Sequence, residues 1–312
     1  MHSLLTQAFL SAMLFGSVTA AVPLLLAGYG EQISEKAGVM NIGLEGMVLI
    51  GAYAGFVVTF HLGNSWLGFV AGGLAGAALA AVMAYLCVQL AMNQVIVGIA
   101  LNFFAQGLTA LLFFFEFSTT YPRLDAPARV AIPGLSLLPV LGPGLFNHHI
   151  VAYVALLFPI LLTYIFRSTF FGLNLTSAGY APAALDAAGV EVLRLRSAAV
   201  LIAGALAGVG GAYMSEVSGG LFVPFMSNGN GYIGIVVAML ARGRPIWVLI
   251  GGLVFGACLS ATTALQVGGI NVPTDIIQML PFAVVMLILV VFGRRASGPT
   301  ELGLPYIRGR RG

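Results

Sequence analysis

Long apolar runs, separated by short polar or Gly/Pro-rich stretches, set the pattern of this chain. A helix that crosses a membrane needs about 20 mostly apolar residues. Runs of that kind cover residues 4–29, 39–60, 66–90, 95–117, 148–166, 197–216, 229–241, 246–267 and 277–293. The pattern predicts an all-α polytopic membrane bundle of about nine spans, bounded at eight and ten, forming a single domain over residues 1–312. The run 229–241 is too short for an ideal full span. It is expected to tilt, to start earlier, or to be a re-entrant half-helix shielded by protein. No Lys or Arg precedes the first run, so it reads as a retained helix and not a signal peptide.

Polar residues inside the runs narrow the reading. Gln94, Gly98, Asn102, Gln106 and Thr109 fall on one helical face, within about 120° at 100° per residue. Such a stripe is costly in hydrocarbon unless it faces protein or water. It therefore either bonds helices together or forms the polar wall of a permeation path. Carboxamides donate and accept, which suits a neutral polyhydroxylated cargo. The second run opens Gly38-Val39-Met40-Asn41-Ile42-Gly43-Leu44-Glu45-Gly46-Met47, with Asn41 and Glu45 one turn apart. Its glycines weaken the helix there. Glu45, an acid at membrane depth, is a functional candidate; its alternative role is a buried hydrogen bond that holds a broken helix. Gly229-Asn230-Gly231-Tyr232-Ile233-Gly234 matches a dinucleotide fingerprint but lacks the strand and βαβ frame that fingerprint needs. The glycines are expected instead to break a helix where the chain enters the membrane. Small residues four apart (Gly68, Gly72, Gly76 and Ala80; Gly204, Gly208 and Ala212; Gly252 and Gly256) signal close helix crossings.

Composition confirms the solvent. Of 312 residues, 60% are hydrophobic and 7% charged, and the mean hydropathy is +1.03. Too few charges exist to cover a soluble globule, which excludes a secreted enzyme, a nucleic-acid binder and a disordered chain. Alternating the spans puts Lys36, Arg167, Arg194, Arg196, Arg242, Arg244, Arg294, Arg295, Arg308, Arg310 and Arg311 on one side and only Arg123 and Arg129 on the other. Eleven against two makes the first side cytoplasmic. The N-terminus is then outside, 118–147 is an external loop with a candidate short helix or lid, 167–196 is a cytoplasmic loop, and 294–312 is a basic cytoplasmic tail near anionic lipid headgroups. Cys87 and Cys258 sit in apolar runs and read as core hydrophobes, with no disulfide or metal site. No phosphate loop, H-E-x-x-H, G-x-S-x-G or voltage-sensor arginine array occurs.

Three stretches together resemble the permease subunits of ABC importers in the simple-sugar, nucleoside and branched-chain amino-acid class. They are Glu35–Met47, Asn93–Asn102, and Gly172-Leu173-Asn174-Leu175 through Gly179 with Ala187-Ala188-Gly189-Val190. The nucleoside-type branch is most similar, and the resemblance covers roughly residues 30–295. The family's cytoplasmic loop commonly reads as a Gly-Glu-Asn-Pro run followed by a basic residue; here it is Gly179-Tyr180-Ala181-Pro182-Ala183-Ala184. The resemblance implies a bacterial-type inner membrane location and a hetero- or homodimer with a second, related permease. It also implies cytoplasmic ABC ATPases that hold ATP and Mg, and an external solute-binding protein or lipoprotein. This chain itself would carry no cofactor and no catalytic site. Asn41, Glu45, Gln94, Asn102 and Gln106 are the expected path residues, and Pro182, Leu185, Asp186 and Gly189 the expected ATPase-coupling residues. Locally, Pro182 can start a helix, alanines continue it and Gly189 can end it. Exposed Leu185 and Val190 would dock into a partner groove. The expected cargo is a nucleoside, then a simple sugar, a nucleobase or a branched-chain amino acid. The rival readings are an ion-coupled secondary transporter, which would want paired intramembrane acids, and a structural scaffold, which would not need the carboxamide stripe.

Overall fold

The computed structural model describes residues 7–125, 127–267 and 298–308, with isolated positions between the last two segments. The helices run α1 (Gln7–Lys36), α2 (Leu44–Leu62), α3 (Ser65–Ala84, continued by a π-turn Tyr85–Gln89) and α4 (Gln94–Phe117). A short α5 (Leu141–Leu145) precedes α6 (Ile150–Ser168), α7 (Phe170–Tyr180) and α8 (Pro182–Ala187). The chain continues through α9 (Val192–Tyr213, extended by a π-turn Met214–Gly219), α10 (Asn230–Leu240) and α11 (Pro245–Val267). Among the described residues, seven helices are long and apolar enough to cross a membrane: α1, α2, α3, α4, α6, α9 and α11. The candidate span 277–293 lies outside the described residues, apart from isolated positions.

Local chemistry sets the helix ends. Asn64 accepts from the N–H groups of Trp66 and Leu67, and Asn93 from those of Val95 and Ile96. Each satisfies donors that a helix N-terminus leaves orphaned. The 118–147 loop holds a two-residue antiparallel pair, β1 (Val130–Ala131) with β2 (Asn147–His148), and α5.

Two differences from the sequence pattern matter. The apolar run ends near residue 29, yet α1 continues to Lys36 with Glu31, Gln32, Ser34 and Glu35 buried. At 1.5 Å per residue, α1 is about 45 Å long, more than a hydrocarbon core of about 30 Å. The second helix starts at Leu44, five residues later than its apolar run, because Gly38–Gly43 forms an irregular return loop.

The bundle closes around small residues. A Cβ on Gly208 would strike the Gly72 carbonyl, one on Gly76 the Gly204 carbonyl, and one on Gly211 the Val48 carbonyl. Thus α3, α9 and α2 pack backbone to backbone, as close crossings in lipid require. Gly256 of α11 meets the Ser17 carbonyl of α1 in the same way.

Substitution tests this directly. Gly208→Ala should lower the melting temperature of the detergent-solubilised chain, at a cost of about 1–3 kcal/mol from overpacking. Gly107→Ala, where an added Cβ meets nothing within 4 Å, should leave stability unchanged or slightly raised. Equal melting of the two variants would contradict the packing account.

Candidate functional site

The site grows from a helix that stops halfway. With 11 residues, α10 is about 16 Å long, roughly half the hydrocarbon thickness. Its lower end carries Arg242 and Gly243, and a Cβ on Gly243 would lie 3.3 Å from the Lys36 ammonium at the foot of α1. Its upper end therefore lies at mid-depth. Gly234 there packs against Ala27 and Gly28, well above the foot of α1. The preceding segment, 220–229, is irregular chain with Phe222 and Ser227 buried and Val223, Phe225 and Asn228 exposed; non-helical backbone at membrane depth is tolerated only against protein or a water-filled cavity.

Glu45 closes that half-helix. Its Oε1 accepts the Gly229 N–H at 2.8 Å and its Oε2 accepts the Gly231 N–H at 2.7 Å. A carboxylate suits this place, because a helix N-terminus presents unpaired N–H groups and the positive end of the helix dipole. The fit needs glycine: a Cβ on Gly231 would lie 2.5 Å from the Glu45 Cα. The glycine motif at 229–234 thus forms an anion cradle, and its anion is internal.

Glu45 is in turn held by the loop before it. Gly38 has φ of +86°, and the chain doubles back along α1. The Val39 N–H donates to the Ser34 carbonyl and the Ser34 hydroxyl to the Val39 carbonyl. The Met40 N–H donates to Gln94 Oε1 at 2.8 Å, and the Asn41 N–H to Glu31 Oε1 at 3.1 Å. Asn102 accepts the Gly46 N–H at 2.8 Å and donates to the Ile42 carbonyl at 2.9 Å and to the Tyr232 hydroxyl at 2.7 Å. Gln94 and Asn102 are therefore buried fasteners of the return loop, since its backbone groups have no helix or sheet to pair with. Gln106, one turn beyond Asn102, is half-exposed, and Tyr232 is exposed. Polar atoms open to the outside at membrane depth face a second protein or water. Asn41 Oδ1 and Glu31 Oε2 are buried without a partner among the described residues.

Of the expected path residues, Asn41, Glu45, Gln94 and Asn102 come together around the return loop, and Gln106 flanks them. Glu31 and Tyr232 were missed. Glu31 fell beyond the end of its apolar run, and Tyr232 sat inside a motif set aside as a decoy. At the opposite end, a cavity of about 410 Å³ is lined by Thr59, Phe60, Ser65, Arg123 and Asp125, among others. Buried Glu216 lies against Thr59 and Ser65.

The segment expected to couple forms as read, but not with the expected face. Pro182 starts α8, and Gly189 follows it with φ of +85°. Leu185 was expected to be exposed; it is 6% exposed and packs with Ala178 and Val192, flanked by Val190 and Tyr306. It is the one large apolar side chain on α8, and burying it stabilises the joint between α7 and α9 more than exposing it would. The outward face is Ala183, Ala184, Ala187, Ala188 and Gly189, with Asp186 at its edge.

Comparison with known proteins agrees with this architecture. The family described as branched-chain amino acid transport system / permease component matches residues 13–289. A putative glucose ABC transporter permease protein of Haloferax volcanii is 42% identical over 80% of this chain and 76% of its own. A nucleoside ABC transporter permease protein of Lactococcus lactis is 30% identical over 93% of this chain and 95% of its own. A guanosine ABC transporter permease protein of Bacillus subtilis is 29% identical over 97% of this chain and 98% of its own. No solved structure matches.

The geometry separates fasteners from wall. Asn102→Ala leaves the buried Gly46 N–H without a partner, at about 1–3 kcal/mol, and frees the part-buried Ile42 carbonyl. It should lower melting temperature and yield. Gln106→Ala should leave melting unchanged and lower uptake per folded molecule. Unchanged melting in Asn102→Ala would show that the loop does not depend on it.

Proposed function

The chain belongs to the permease-component family of branched-chain amino acid transport systems, and from that premise we propose that it forms half of the translocation path of an ATP-driven ABC importer for a nucleoside. The observation that carries this reading is the broken α10, ending at mid-depth on Glu45 beside exposed Tyr232 and half-exposed Gln106. Discontinuous helices that meet near the bilayer midplane are where transporters build solute paths. A polar strip open at membrane depth also fits a path shared with a second, related permease.

In this reading ATP and Mg bind to a cytoplasmic ABC ATPase, and an external binding protein or lipoprotein delivers the cargo. The relatives named as ABC transporter permeases support the assembly. The outward alanine face of α8, with Pro182 before it and Gly189 after, is the surface the ATPase would grip, with Leu185 as its internal anchor. The orientation assigned by the basic residues puts that face, and the C-terminus, in the cytoplasm. Two relatives named for nucleoside and guanosine support nucleoside cargo. A simple sugar is the second reading, favoured by the 42% identity to the putative glucose permease. Both cargo types are neutral and polyhydroxylated, matching carboxamides and a phenol at the path.

Proteoliposomes holding this chain with its ATPase, sister permease and binding protein test the proposal. ATP-dependent uptake of labelled guanosine or adenosine is expected, with none from the chain alone. Uptake by the isolated chain under an ion gradient would overturn the reading, and ATP-driven uptake of glucose in place of nucleosides would select the sugar reading.

A further inference from the structure

Residues 298–308 are fastened across one end of the bundle. The Thr300 hydroxyl donates to the Tyr180 carbonyl at 3.1 Å, and the Glu301 N–H donates to the Gly179 carbonyl at 3.0 Å. The Gly303 N–H donates to the Gly38 carbonyl at 3.1 Å. Buried Arg196 of α9 joins the tail to α7, donating from Nη1 to the Leu304 carbonyl at 2.8 Å and from Nη2 to the Ala178 carbonyl at 3.0 Å. Tyr306 packs on the Leu185 cluster, within hydrogen-bonding reach of Asp186. Arg308 Nε donates to Asp186 Oδ2 at 3.0 Å.

These contacts link, by a second route, two places that already meet where Gly179 packs on Gly38 and the Lys36 carbonyl. One is the coupling segment: Tyr180, Leu185 and Asp186. The other is Gly38, where the return loop begins. That loop carries Asn41, is fastened by Gln94 and Asn102, and ends at Glu45 on the half-helix. Backbone N–H groups of the tail bond to the bundle and the Tyr306 ring packs on the Leu185 cluster, while Leu304 and Ile307 stay exposed.

We propose that residues 298–308 are the positioning element that carries movement of α8 to the return loop at Gly38 and so to the Glu45–α10 joint. This rests on the reading of α8 as the ATPase-facing helix. Chains of hydrogen bonds and packed side chains can carry coupling between distant sites, and here one runs from Asp186 to Glu45. The Arg308–Asp186 ion pair contributes least, since the Arg308 side chain is 80% exposed and exposed pairs are worth little. Tyr306, packed on the Leu185 cluster beside Asp186, is the link from α8 into the tail, and the Gly303–Gly38 and Arg196–Leu304 bonds pass the movement on in series.

The test uses the full complex, with two altered chains. One carries a stop after Gly303. The other is Tyr306→Ala with Arg308→Ala, which leaves the backbone bonds in place. Both should insert and retain the ATPase, and ATP hydrolysis should continue, while uptake per ATP falls about fivefold or more. Wild-type uptake per ATP in the double variant would overturn the proposal; if the truncated chain fails to insert, the double variant alone decides. In a third chain, with Cys87 and Cys258 replaced, Asp186→Cys and Arg308→Cys are joined by a short bismaleimide. The joined chain should still transport, because tail and α8 move as one; arrest on cross-linking would show that the tail must release, and would also overturn it. A cross-link from Ala184→Cys to the ATPase in the otherwise unaltered complex checks the underlying reading separately. If it does not form, α8 does not face the ATPase, and that reading fails independently of the tail.

Discussion

A carboxylate at membrane depth without a cation is expensive unless its oxygens are hydrogen-bonded. Glu45 meets that constraint with two backbone N–H groups of the half-helix α10. The exchange works in both directions. An α-helix that begins inside the membrane leaves its first N–H groups without helical partners, and at that depth each needs another. The carboxylate and the half-helix therefore stabilise each other, and each would be costly alone. The rest of this half of the bundle follows from this joint. Glu45 must sit at the start of α2, so the chain must turn back after α1. The return loop then needs Gln94, Glu31 and Asn102 as side-chain partners for its backbone.

In the proposed importer, the same joint is the place to move. Backbone-to-backbone crossings among α2, α3 and α9 leave little room to slide, so that core is stiff. The joint between α2 and α10 is held by side-chain and cap hydrogen bonds, which have discrete alternatives. Polar groups with no partner in this conformation, such as Asn41 Oδ1 and Glu31 Oε2, lie beside it. A rigid frame with a hydrogen-bonded, interruptible helix is the arrangement alternating access calls for. Below it, the alanine face of α8 and the strapped tail form a continuous base.

Much of this was legible in the residues. Seven apolar runs became long helices, because length and hydropathy decide what crosses lipid. The short run 229–241 was marked as a possible half-helix, and Glu45 as a bond that could hold a broken helix. What escaped was the pairing of the two: 184 residues separate Glu45 from Gly229, and no periodicity reports a contact at that range. The carboxamide stripe was seen, but a helical wheel cannot tell a fastener from a wall; only the return loop, present because Gly38 takes positive φ, makes Gln94 and Asn102 fasteners. Leu185 was misplaced because a six-residue helix on a polar loop reads as a surface knob. The tail that covers it lies more than a hundred residues further along.

The central claim is that the Glu45 carboxylate holds α10 closed at mid-depth. Hydrogen–deuterium exchange of the amides at 229–234, in the assembled complex, measures it most directly. A hydrogen bond to a charged group is worth about 1.5–3 kcal/mol, or roughly 10- to 150-fold in an opening equilibrium. Glu45→Gln should raise exchange at 229–234 by about that factor, with the α3–α9 crossing at Gly72 and Gly208 unchanged. Exchange at 229–234 that stays at the wild-type rate in a folded Glu45→Gln complex would contradict the account.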